Sequence, residues 1–270
     1  MKTKKLITPT QTSWKWRNFF THLLATGTFT YCFGVCSWAA LHHFFGDRWW
    51  WLFLLNTFAV YLFFPLPVLI IFAILLRKRE IWISVGVVTI LAVYFYGMLF
   101  IPKFSRNGDS AGKEITVMTY NVLGLNQSQD GIIAAMKNSD ADVIAIQELS
   151  LSFAAKIEEE LTDYPYQILR PQENVRGLGV ISRYPLAETD YELPNPYWCG
   201  DPQILEMTFE DTSVIIMNVH AVPPGSKVDS TYLEWTVQVR EQQAQQISEF
   251  IEQNPGPLLL LGDFNTSEQS

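Results

Sequence analysis

Acidic side chains are almost missing from the first 104 of the 270 residues, where Asp47 and Glu80 stand against ten Lys and Arg. A water-exposed surface normally interleaves both signs, so this part of the chain is not built as an ordinary soluble domain. Cysteine is nearly as scarce. Cys32 and Cys36 lie one helical turn apart inside an apolar run, where they read as small packing residues. Cys199 has no second thiol in its own half of the chain, which excludes an internal disulfide framework there. Internal repeats and low-complexity tracts are absent, and the second half has no basic stripe of the kind that follows a nucleic-acid backbone.

Residues 1–104 do contain three uncharged apolar runs, at about 18–41, 49–76 and 81–101. Each reaches the roughly 20 residues that a helix needs to cross a bilayer, where backbone polar groups must bond within the helix. Three transmembrane helices are therefore expected. The first run exceeds the ~7–15 residues of a signal-peptide core and two more follow it, so a retained anchor is expected rather than a cleaved leader. Trp49, Trp50 and Trp51 suit an interfacial belt. Pro65 and Pro67 should kink or divide the second span, with a re-entrant hairpin as the alternative. His42 and His43 follow the first run and are read as interfacial residues rather than a metal pair. With no charged residue inside the runs, transport through them has no support.

Lys2, Lys4, Lys5, Lys15 and Arg17 precede the first run, and Arg77, Lys78 and Arg79 fill the turn between the second and third. The positive-inside rule then places the N-terminus in the cytoplasm and, after three crossings, the remainder of the chain outside it. That remainder has nine basic and twenty-five acidic residues, a net −16 against +8 for residues 1–104. The step falls in "KFSRNGDSAGK", so residues 105–113 are expected to link a transmembrane region, 1–104, to a separate domain, 114–270.

From Glu114 onward, short apolar runs alternate with amphipathic stretches, the pattern of a layered α/β domain. "ITVMTYN" and "DVIAIQE" read as strands, the second buried on both sides, with "DGIIAAMKNS" and "SFAAKIEEEL" as helices after them. "YQILR", "GLGVIS", "QILEMTF" and "VIIMNVH" follow without a long helix between them, so antiparallel neighbours are expected. A helix at "WTVQVREQQAQQISEFIEQ" and a strand at "LLLL" complete a sandwich of two packed sheets with helices outside.

The ends of these strands carry the chemistry. Asn121, Gln147 with Glu148, His220, and Asp263 with Asn265 recur at the carboxyl ends of otherwise apolar strands, where ligands gather in α/β sheets. Taken singly, each is also a common turn former. As a set, one carboxylate beside an amide makes a poor calcium cage but suits magnesium, which keeps waters and shares phosphate oxygens with its substrate. A second carboxylate could orient water, an amide could bind a nonbridging oxygen and a histidine could neutralise developing charge.

"MTYNV", "DVIAIQE", "GLGVISRYPL", "MNVH" and "LLLLGDFN", in that order over about 115–265, resemble the endonuclease/exonuclease/phosphatase superfamily of DNase I-like nucleases, sphingomyelinases and inositol polyphosphate phosphatases. The resemblance implies a DNase I-like four-layer α/β sandwich that uses Mg2+, or Mn2+, to hydrolyse phosphate esters. It casts Asn121 and Glu148 as metal ligands, His220 as the phosphate-contacting histidine, Asp263 as the residue orienting the water and Asn265 as its phosphate-binding neighbour. Arg183 is read as a loop-fixing contact and Arg240 as part of a solvated helical face. Family members close the site with a later Ser-Asp-His run, and none follows Asn265 here. The resemblance therefore implies a domain incomplete at its C-terminus, with intact metal ligands and impaired or absent turnover. The acidic charge favours a lipid headgroup or a small phosphorylated molecule near the bilayer over long duplex DNA. The alternative function is a non-catalytic binding or assembly module that keeps the fold.

Overall fold

The structure, a computed structural model, describes residues 9–101, 114–124, 128–194, 197–225, 229–267 and 269. The expected linker at 105–113 lies outside these residues. Two compact units emerge, one of Met1–Gly108 with Ser267–Ser270 and one of Asp109–Thr266.

In the first unit, three helical stretches are long and apolar enough to cross a membrane: Asn18–Phe45, Ala59–Leu76 and Arg79–Phe100. Helix α1 runs over Pro9–Phe45, α2 over Trp50–Thr57, α3 over Leu66–Leu76 and α4 over Arg79–Tyr96. The apolar run at 49–76 is divided, because α2 gives way to a 3-10 turn at Ala59–Phe63 before α3 begins. Pro65 and Pro67 sit at the start of α3, where a residue without an N–H interrupts no helical bond. Val35, Trp38, Ala59, Leu66, Ala73 and Val85 form the unit's own core, while Phe29, Phe33, Ile90 and Val93 point outward. Buried Asn56 ties the α1–α2 turn together: it accepts from Trp38 Nε1 at 3.0 Å and donates to the Gly46 carbonyl and to Asp47 Oδ1. His42 stacks on Trp38.

The second unit has two mixed four-stranded sheets. One has the order β1-β2-β4-β3, from Val117–Asn121, Val143–Gln147, Leu178–Ser182 and Tyr166–Arg170; the other has the order β5-β6-β7-β8, from Leu186–Glu188, Gln203–Phe209, Thr212–His220 and Leu258–Asp263. Helices α5, Gln129–Asn138, and α6, Leu151–Glu160, pack Ile133, Met136, Phe153 and Ile157 onto Ile144 and Ile146 of β2. Alternate β2 residues, Val143 and Ala145, face the second sheet and meet Leu205, Met207, Ile216 and Leu261 there. Helix α7, Ser230–Gln253, lays Ile247 and Phe250 on the far side of that sheet, against Met217 and Val219. The result is four layers, helix, sheet, sheet, helix, as the α/β sandwich expectation requires.

One detail differs from the expected strand pattern. The β4 and β6 strands are consecutive long strands yet lie in different sheets, because the three-residue β5 pairs with β6 and starts the second sheet. So short a strand leaves no apolar alternation for a sequence to display.

Candidate active site

Parallel pairing aligns the ends that matter. Asn121 of β1 is in register with Gln147 of β2, and His220 of β7 with Asp263 of β8. Side chains alternate along a strand, so Asn121 and Gln147 share the inter-sheet face with Thr119 and Ala145, as His220 and Asp263 do with Asn218 and Leu261. Two parallel pairs, one per sheet, thus deliver four polar side chains to one end of the sandwich.

These side chains touch. Asn121 Nδ2 donates to Glu148 Oε1 and to Asp263 Oδ2, each at 2.9 Å, while its Oδ1 accepts from the Leu123 N–H. Asp263 Oδ1 accepts from the Asn265 N–H at 2.9 Å. His220 Nε2 stands 3.8 Å from Asp263 Oδ2, too far for a hydrogen bond. The structure therefore brings Asn121, Glu148, His220 and Asp263 together. Asn265 joins them by another route: its Nδ2 donates to the Ala221 carbonyl at 2.9 Å, which leaves one N–H of that amide for a ligand.

The rim's backbone is unusual. Leu123, Glu148 and Asn265 all have positive φ, near +50° to +59°, a region that costs non-glycine residues of order 1–3 kcal/mol and recurs at functional sites. Gly262, at φ +147°, allows β8 to approach β7, because a Cβ there would lie 2.1 Å from the Val219 carbonyl oxygen. Gly177 serves the same purpose beside Glu148: its carbonyl accepts from the Leu149 N–H, and a Cβ would meet the Leu149 oxygen at 1.9 Å.

His220 is 2 % exposed. Burial pushes its pKa below the usual imidazole range, against the opposing pull of Asp263, Glu148 and the Val175 carbonyl. Its Nδ1 makes no hydrogen bond of ordinary geometry. The neighbouring Cys199 thiol is pushed up by burial and by Glu148, against Arg176, so it stays protonated and unreactive.

Arg183 pairs with Asp140 at 2.8 Å and Asp142 at 3.6 Å, and lies over the Tyr164 ring. It holds a loop, as expected. Arg240 departs from expectation: it is buried, not solvated, and donates to the Val222 carbonyl at 3.2 Å. Its helix packs that face onto the sheet, a placement that charge alone does not reveal.

Behind the rim lies an amide network that strand-end reasoning overlooks. Gln147 Nε2 donates to Asn218 Oδ1 at 2.7 Å, and Asn218 Nδ2 reaches the Ile146 and Gly179 carbonyls and Gln203 Oε1. All three amides are at most 1 % exposed. Amides at inward positions of apolar strands were the available signal.

Magnesium fits this donor set. Glu148 Oε2 is buried without a hydrogen-bond partner, and Asn121 Oδ1 keeps a second lone pair. Among the described residues no group of three or more His, Cys, Asp or Glu could cage an ion, and magnesium needs only one or two carboxylates with waters and phosphate.

Two mixed sheets between helices, with amide, acid and imidazole gathered at one rim, define a DNase I-like α/β sandwich. The profile of the Endonuclease/Exonuclease/phosphatase family matches residues 118–270, and the chain belongs to that family. Among solved structures, the chain is similar to TDP2 from C. elegans, with 21 % identity and a TM-score of 0.48 over 75 % of this chain and 67 % of that one. It is similar to D. rerio TDP2 complexed with single strand DNA product at 17 % identity and 0.46, over 57 % and 61 %. Sphingomyelinase C from Streptomyces griseocarneus gives 18 % and 0.45, over 59 % and 67 %. The chain thus spans less than two thirds of the D. rerio protein. No curated protein matches it.

Proposed function

We propose that this chain is a membrane-anchored, Mg2+-dependent phosphoesterase that hydrolyses phosphodiester or phosphomonoester bonds by in-line attack of water. The observation that carries the reading is the meeting of Asn121 with both Glu148 and Asp263 beside His220. Glu148 and Asn121 hold the ion, which when bound draws charge from the phosphate and the departing oxygen. Asp263 has one lone pair free on each oxygen after its bonds to Asn121 and Asn265, so it can accept a hydrogen from the attacking water and orient it. The neutral His220 ring and the remaining N–H of Asn265 bind nonbridging oxygens as charge develops on them.

Three apolar helices support anchoring, and the cations at 2–17 and 77–79 support a cytoplasmic N-terminus with the α/β unit across the membrane. The net −16 of the second half supports a lipid headgroup or small phosphorylated substrate.

The test is hydrolysis of bis-p-nitrophenyl phosphate and p-nitrophenyl phosphate by the full chain in detergent micelles. Release of nitrophenol from either with Mg2+ or Mn2+, abolished by EDTA, Glu148→Gln or Asp263→Ala, is expected. Release that survives in both variants sinks the assignment. Magnesium binding without turnover of any ester would favour the binding-module alternative.

A further inference from the structure

The last residue of β7 and the two that follow it are held by more than ordinary sheet pairing provides. The His220 carbonyl accepts from the Cys199 N–H at 2.9 Å, and the Ala221 N–H donates to the Asp263 carbonyl at 2.8 Å. The Ala221 carbonyl accepts from Asn265 Nδ2 at 2.9 Å. The Val222 N–H donates to Gln243 Oε1 at 3.2 Å, and the Val222 carbonyl accepts from Arg240 Nη1 at 3.2 Å. Five consecutive backbone groups are thus each bonded to a different group. The first three partners belong to the site's own surroundings. The last two are side chains three residues apart on α7, which places them on one helix face.

Both side chains are unusual for their position. Gln243 is 1 % exposed and Arg240 7 % exposed, on a helix whose other inward residues include Leu233, Val239, Ile247 and Phe250. Burying an amide and a guanidinium costs free energy unless they bond, and methionine or leucine would pack the same space without that cost. Their hydrogen bonds engage the two peptide groups that flank Val222, two residues from His220.

We propose that Arg240 and Gln243 are positioning residues, which clamp the Val222 residue from α7 and so hold His220 at its distance from Asp263. This rests on the reading of His220 as part of a phosphoesterase site. Freed of the clamp, the segment keeps only the bonds from Cys199, Asp263 and Asn265. The ring then samples positions further from Asp263, and substrate binding suffers less than turnover, because His220 acts on charge that develops after binding.

The experiment uses the full chain in micelles, with histidine labelled at ring carbon. The four histidines give four ring cross-peaks, and His220→Gln identifies the one at issue. Gln243→Met and Arg240→Met remove the bonds at similar volume, and Arg240→Lys restores a donor. Expected at fixed pH is a shifted and broadened His220 resonance in both Met variants, a return toward wild type in Arg240→Lys, and unmoved resonances for the other three. In the esterase assay kcat should fall about tenfold with KM changed less than twofold, the proportion expected of a group displaced from the transition state. An unchanged His220 resonance in both Met variants overturns the proposal.

If the Met variants do not fold, amide exchange in the unaltered protein decides. The Ala221 and Val222 amides lie beyond the strand but should exchange as slowly as β7 itself, and free exchange at Val222 overturns the clamp. A chain without esterase activity would sink the functional reading yet leave the resonance and exchange measurements able to judge the clamp.

Discussion

Asn121 donates a 2.9 Å hydrogen bond to Asp263, which lies 142 residues further along the chain, and a second of equal length to Glu148. One amide nitrogen thus stands between two carboxylates and screens them from each other. Removing it leaves like charges facing across a partly buried rim, a cost of about 1–3 kcal/mol. Asn121→Leu should lower the stability of the α/β unit by about 2 kcal/mol in EDTA, followed by circular dichroism during urea unfolding. Added magnesium should recover part of the loss, since Glu148 remains. A variant as stable as wild type in EDTA would show that the two carboxylates do not depend on Asn121.

The network behind the rim makes a separate prediction. Asn218 bonds Gln147, Gln203 and two carbonyls between the sheets. Asn218→Leu keeps the volume but takes a hydrogen bond from the buried Gln147 Nε2 and Gln203 Oε1, at about 1–3 kcal/mol each before relaxation, while the Ile146 and Gly179 carbonyls stay in the β2–β4 ladder. A loss near 4 kcal/mol is expected, larger than for Asn121→Leu. A loss below about 1 kcal/mol would mean that water replaces the amide, which a site this enclosed does not allow.

Much of this was legible beforehand, for identifiable reasons. Val143 through Ile146 are buried on both faces, as their unbroken apolar run implied, and period-two alternation carries Asn121 and Asp263 onto the same inner face. The run at 49–76 is divided, as Pro65 and Pro67 led one to expect, although α2 already ends at Thr57 and the prolines mark the start of α3. The remainder depends on distance in sequence. Nothing local in "REQQ" says that Arg240 turns inward, because the carbonyl it bonds belongs to Val222, 18 residues earlier. Nothing in "LAE" announces β5, whose pairing with β6 decides which sheet the following strands join.

Gly262 tests how closely β7 and β8 must approach. A Cβ at this position would stand 2.1 Å from the Val219 oxygen, and φ is +147°. Gly262→Ala should therefore cost about 3 kcal/mol or more and disturb Asp263 directly after it. Gly256, with nothing within 4 Å of a Cβ and no positive φ, supplies the control. Gly256→Ala should be neutral or stabilise by up to about 1 kcal/mol. Equal melting temperatures for the two variants would falsify the close-approach argument.

Arg183 separates structure from chemistry. Its ion pair is with an Asp140 side chain that is 88 % exposed, and exposed pairs contribute at most about 1 kcal/mol. Arg183→Lys should cost no more than this and leave kcat and KM for the nitrophenyl esters unchanged within twofold. A large fall in kcat would return Arg183 to the site.

The last prediction concerns pH. Burial lowers the His220 pKa in the folded chain, whereas an unfolded imidazole titrates near 6.5. Between the folded and unfolded values the unfolded chain binds the additional proton, so stability rises with pH there. The contribution is complete above about pH 6.5 and is lost as pH falls through 6.5 toward the depressed folded value. The carboxylates also titrate at lower pH, so the relevant quantity is the difference between wild type and His220→Gln. That difference, from urea unfolding in EDTA at pH 7.5, 6.5 and 5.5, should move against wild type as pH falls. Its independence of pH would mean that the buried ring gains its proton as readily as in water, and that Asp263 and Glu148 offset the burial.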